Sequence, residues 1–120
     1  MFQPEVLSVH HGADFGAVTA GNPARRGETL ILRARSLGPV RGLFNYGEPF
    51  PLNAVQIVNS PVDVQVNGRA SEVVNQIGWP GETDVYRVDF RVPDSAASGM
   101  NRLRLNSAWI PAPQVMFPVQ

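Results

Sequence analysis

Tyr86-Arg87-Val88-Asp89-Phe90-Arg91-Val92, closed by Pro93, decides the fold, because apolar and charged residues alternate through it without a fault. Successive side chains of a strand point to opposite faces, so Tyr86, Val88, Phe90 and Val92 share one face and Arg87, Asp89 and Arg91 the other. A segment of this kind is a half-buried strand of an antiparallel sheet. The pattern recurs on both sides of it. Residues 28–35 place Leu30, Leu32 and Ala34 inward and Arg33 and Arg35 outward, Val62–Val66 alternates cleanly, and residues 100–105 set Leu103 and Leu105 against Arg102 and Arg104. Shorter candidates occupy 5–9, 54–58, 69–74 and 114–119. Asn67-Gly68, between two of these runs, is the strongest short hairpin signal, since both residues tolerate the positive φ of a type I′ turn.

Strands at intervals of roughly 8 to 15 residues, punctuated by Gly and Pro, suggest a sandwich or a barrel. Residues 93–99 leave room for one helical turn around Ala96 and Ala97, too little for a packed helix. The expectation is an all-β chain: a sandwich of two packed antiparallel sheets, with about seven or eight strands and no substantial helix, forming one domain over residues 1–120. The chain lacks cysteine, so the Cys-Trp-Cys framework of antibody domains is excluded, along with disulfides, thiolate metal sites and cysteine nucleophiles.

Composition narrows function mainly by exclusion. With 43% hydrophobic and 17% charged residues the chain is globular. Ten basic and ten acidic residues cancel, so net charge offers no argument for nucleic acid or an anionic membrane. All the basic residues are Arg, which codon bias explains more simply than selection for bidentate anion contacts. The start, Phe2-Gln3-Pro4-Glu5, has neither a basic leader nor an apolar run, and no segment is long and apolar enough to span a bilayer. The chain is therefore read as cytosolic or as a piece of a longer exported protein.

Several fragments in order carry a resemblance. Asn22-Pro23-Ala24-Arg25-Arg26-Gly27-Glu28 before an apolar run and Ser36-Leu37-Gly38-Pro39, then Pro61-Val62-Asp63-Val64-Gln65-Val66-Asn67-Gly68-Arg69-Ala70, then Val85-Tyr86-Arg87-Val88-Asp89-Phe90-Arg91-Val92-Pro93 and Gly99, follow one another along the chain. Together they resemble the Ig-like C-terminal domain family of Acidobacteria such as Solibacter, related to the IPT/TIG Ig-like domains. Ser36 stands where that family usually has Gly, and Asn106-Ser107 replaces its usual Asn-Gly turn. The resemblance implies an Ig-like sandwich ending a large exported bacterial protein, extracellular or at the cell surface. It supplies no catalytic residue.

Chemistry-bearing residues are sparse. His10-His11 with Asp14 is the one cluster with metal or acid/base potential, and on a continued strand the two imidazoles point apart, leaving too few ligands for zinc. It reads as a loop in which Asp14 accepts backbone hydrogen bonds and His11 is solvated. No Gly-x-Ser-x-Gly elbow occurs, and Glu82 and Asp84 read as solvated loop charge rather than as a glycosidase pair. No catalytic residue, metal or cofactor is therefore assigned, and the chain is read as a non-enzyme. Two surfaces carry binding potential. Arg33, Arg35, Arg87, Arg91, Arg102 and Arg104 all fall on outward strand positions, which would suit an acidic polysaccharide if they shared a face. Phe44, Tyr46 and Phe50 crowd one loop, and Trp79 and Trp109 stand next to or near Pro; such rings either plug the sandwich or stack on a ligand. The leading expectation is a non-catalytic structural or interaction module, a spacer, stabilising or adhesion domain contacting other domains of its parent chain or a protein partner. The alternative is a carbohydrate-binding module.

Overall fold

The computed structural model describes residues 3–41 and 47–120. Among them it contains nine strands and no helix: β1 (Glu5–His11), β2 (Thr29–Arg35), β3 (Val62–Val66), β4 (Arg69–Ser71), β5 (Val73–Gly78), β6 (Val85–Arg91), β7 (Gly99–Ser107), β8 (Ile110–Pro111) and β9 (Val115–Val119). The expected helical turn over 93–99 is a hydrogen-bonded turn, with Ala96 N–H donating to the Pro93 carbonyl at 3.0 Å. No helix among the described residues is long and apolar enough to cross a membrane.

Every ladder is antiparallel. One sheet runs β1-β2-β6-β5; in the other, β4-β3-β7 is continued by β8 and β9, which share the far edge of β7. This is the A-B-E-D and C′-C-F-G strand order of an immunoglobulin-type sandwich. The alternating stretch that opened the reading lies mid-sheet, where Val88 pairs with Leu32 on one side and Gln76 on the other. Its inward residues Tyr86, Val88 and Phe90 are buried with Leu30, Leu32 and Ala34, and they meet Val64, Leu103, Leu105 and Phe117 of the opposite sheet. Phe90 and Phe117 close the centre edge to face, with ring centroids 6.2 Å apart.

The segment expected as one return strand, 69–74, divides at Glu72. Arg69–Ser71 completes the hairpin with β3 through Asn67 (φ 52°) and Gly68 (φ 81°), whereas Val73–Gly78 crosses to the other sheet and bulges between Val73 and Asn75. Residues 54–58 form no ladder strand. They run along the free edge of β5, where Gly78 N–H donates to the Gln56 carbonyl at 2.8 Å and Val58 N–H to that of Gln76 at 3.0 Å. Val18 N–H donating to Val9 O, at 3.1 Å, covers β1 in the same way, and Ala24 N–H donating to Pro118 O, at 3.0 Å, covers β9. Capped edges of this kind block uncontrolled strand pairing.

Candidate functional site

The six outward arginines do not form one surface. Arg33, Arg35, Arg87 and Arg91 belong to the β2–β6 sheet, Arg102 and Arg104 to β7 of the opposite sheet. Arg33 and Arg87 sit directly opposite one another, and each is drawn to a carboxylate of its own. Arg33 pairs with Glu82, Arg87 holds both Asp89 oxygens at 2.9 and 3.0 Å, and Arg91 lies 3.7 Å from Glu72. The single basic face expected from the alternation is thereby corrected: period two gives the side of a strand, not the sheet it joins. Asp89, read as an outward charge, is buried by the Arg87 fork.

His10 and His11 do diverge. His10 faces outward, stacked on Phe15 with ring centroids 3.9 Å apart, and Phe15 meets the edge of Trp79 at 5.6 Å. The Arg33 guanidinium lies over the indole of Trp79, 5.1 Å from its centroid. Trp79 is thus a plug that ties two loops to the outer face of the sheet. His11 points inward and is buried rather than solvated, which corrects the sequence reading. Its partner is Glu28, not Asp14, whose Oδ1 accepts the Gly16 N–H at 2.8 Å. His11 Nε2 donates to the Asn22 carbonyl at 2.9 Å, and Nδ1 faces the Glu28 carboxylate, so two acceptors confront the ring. Burial works to lower the His11 pKa, but the Glu28 hydrogen bond, the Asn22 carbonyl and the charges of Glu28 and Asp14 outweigh it and hold the group above its ordinary 6.5. A raised folded-state pKa contributes stability in full below 6.5 and loses it as pH rises through the folded value. The thermal midpoint of the native chain is accordingly expected to exceed that of H11Q most below pH 6.5, with the gap narrowing as pH rises above it; a gap independent of pH would contradict this clamp.

The opposite end of the sandwich holds a cleft of about 520 Å³. Its walls are largely apolar, built from Pro4, Leu37, Pro39, Phe50, Tyr86 and Ile110. Phe50 seats flat against Gly78, where an added Cβ would stand 2.5 Å from the ring, and edge-on to Tyr86 at 5.2 Å. Three bonds stiffen the frame: Tyr86 OH donates to Gly38 O at 2.8 Å, Ser107 Oγ to Leu37 O at 2.6 Å, and Ala108 N–H to Pro61 O at 2.8 Å. At the mouth, the Ser36 N–H and hydroxyl each donate to one oxygen of Asp84 at 3.2 Å.

Backbone strain concentrates here. Six described non-glycine residues have positive φ; Ser36 (60°), Asp84 (53°) and Ala108 (50°) line the cleft, and Trp109 (65°) adjoins Ala108. Ala108 and Trp109 together occupy the two central positions of the β7–β8 hairpin, where Asn-Gly is the relaxed choice. Trp109 is 81% exposed at that tip. Of the aromatic candidates, then, Trp109 is open to solvent, Trp79 and Phe50 are packed, and Phe44 and Tyr46 lie outside the described residues. Ser36 is legible in the sequence as a departure from a usual glycine and Asp84 as loop charge, but their meeting with Ala108 around one cleft is a tertiary fact that no residue pattern records. No family model matches the sequence, and no curated protein matches it either.

Proposed function

We propose that this chain is a non-catalytic, immunoglobulin-like recognition module, serving as an adhesion or spacer unit of a larger exported bacterial protein and engaging its ligand through the cleft at the β7–β8 end. One observation carries the reading: backbone strain, costly in each residue, gathers around a preformed apolar cleft beside an exposed tryptophan. The resemblance to exported Ig-like domains supports it further, since Ser36 adopts the positive φ that glycine would take freely at that position. The non-catalytic reading is supported by the acid/base groups outside the cleft, where His11, Glu28, Asp89 and Arg87 are engaged in bonds that hold loops and strands.

A second reading, carbohydrate binding, is favoured by Trp109 alone, whose open indole is the kind of platform on which a sugar ring stacks. An NMR screen of the ¹⁵N-labelled chain against mixed neutral, cationic, anionic and sugar fragments tests the module reading. Hits are expected to map to the amides of Ser36, Asp84 and Ala108 and to the Trp109 indole; hits confined to the His11–Glu28 end or scattered over both sheets would contradict it. A glycan microarray on which W109A loses a ligand that the native chain retains would assign the sugar reading. W109A itself is expected to keep its stability within about 0.5 kcal/mol, because the indole is exposed.

A further inference from the structure

Charge and lining chemistry say more about the occupant of this cleft, on the premise that the loop end is a recognition site. Among the described residues lining it, none is basic and none carries a side-chain amide, whereas two carboxylates, Asp84 and Glu48, stand exposed on its border. Asp84 already accepts two bonds from Ser36, and an ionised carboxylate has about four acceptor positions, so capacity remains on both oxygens. Trp109 follows Ala108 at the tip of the adjoining β7–β8 hairpin, with its indole exposed to solvent and outside the lining of the cleft.

Each ligand class meets this arrangement differently. An anion is repelled by both carboxylates, and no described lining residue is a cation that would hold it. A purely apolar guest would strip water from the carboxylates without replacing it. A sugar offers as many acceptors as donors, and among the described lining residues there is no guanidinium, ammonium or amide group, while the Ser36, Tyr86 and Ser107 hydroxyls already donate within the protein. A positively charged nitrogen on an apolar body satisfies both parts: its charge faces Asp84 and Glu48, and its alkyl or aryl portion fills the walls. We infer that the cleft takes a small organic ammonium ion with an apolar body.

The test is a titration of the intact ¹⁵N-labelled chain with four probes taken separately: benzyltrimethylammonium, benzyl alcohol, benzoate and methyl β-glucoside. Benzyltrimethylammonium is expected to shift the amides of Ser36, Asp84 and Ala108 saturably. Benzyl alcohol should bind at least about tenfold more weakly, and benzoate and the glucoside should leave these signals in place. D84N should weaken the cation about tenfold; should D84N disturb the Ser36 turn, E48Q serves instead, with an expected loss of about threefold. Equal or stronger binding of benzyl alcohol, or a preference for benzoate or the glucoside at the same residues, would overturn the cation assignment while leaving the cleft as a recognition site. Silence of all four probes at these residues would overturn the assignment and remove the cleft from the functional reading as well.

Discussion

Asn101→Asp is expected to destabilise the chain by about 4 kcal/mol or more, enough to unfold much of the population of a domain whose whole stability is about 5–15 kcal/mol. Asn101 is 0% exposed, and all four of its hydrogen-bonding positions are used. Its Oδ1 accepts from Asn67 Nδ2 at 2.7 Å and from Ala97 N–H at 3.0 Å, while its Nδ2 donates to the carbonyls of Ala97 at 2.8 Å and Gly99 at 2.9 Å. Asn67 Oδ1 accepts in turn from Arg102 N–H at 2.8 Å, so one amide pair joins the β3–β4 hairpin to the entrance of β7. Aspartate is isosteric, but it removes both donors and turns a negative oxygen toward two carbonyls. Urea denaturation of N101D and N101A measures the effect. The alanine variant should lose less, about 3 kcal/mol, because it leaves unpaired groups without adding charge; two variants within about 1 kcal/mol of the native chain would show that this junction is not needed.

The second large effect concerns the centre of the sandwich. Phe90→Ala should cost about 3–5 kcal/mol, because the ring is fully buried, packs edge-on against Phe117 and leaves a void that two hydrogen-bonded sheets cannot close. Val74→Ala, at an exposed position in the bulge of β5, is the control and should change stability by about 0.5 kcal/mol or less. Equal unfolding midpoints for the two variants would place the core elsewhere.

Those two residues also mark where sequence reading succeeds and where it stops. Phe90 was legible because burial in a strand obeys period two, and the same rule located β2, β3, β6 and most of β7. Asn101 was illegible because its worth lies in four partners, two of them carbonyls of its own loop, and no periodicity records hydrogen bonds. His11 failed for a similar reason: its partner Glu28 is 17 positions away and becomes adjacent only when β1 and β2 pair. Residues 54–58 and 69–74 were misjudged because β-branched residues fit an edge cover or a sheet crossing as well as a ladder. The arginines fell on outward positions as read, but alternation cannot tell two sheets apart. Trp109 was legible as a candidate and not as a hairpin tip, since Ala108-Trp109 carries none of the residues that normally announce such a turn.

That hairpin bears most directly on the central claim, that the loop end is kept under strain for recognition. The double variant A108N/W109G installs the relaxed type I′ dipeptide at the same two positions. Its urea denaturation and its benzyltrimethylammonium titration, measured together, are predicted to diverge: stability gained by about 1–2 kcal/mol, and the cation signal at Ser36 and Asp84 weakened at least about fivefold. Unchanged affinity in a stabilised variant would contradict the claim, because the strained tryptophan turn would then contribute nothing to binding.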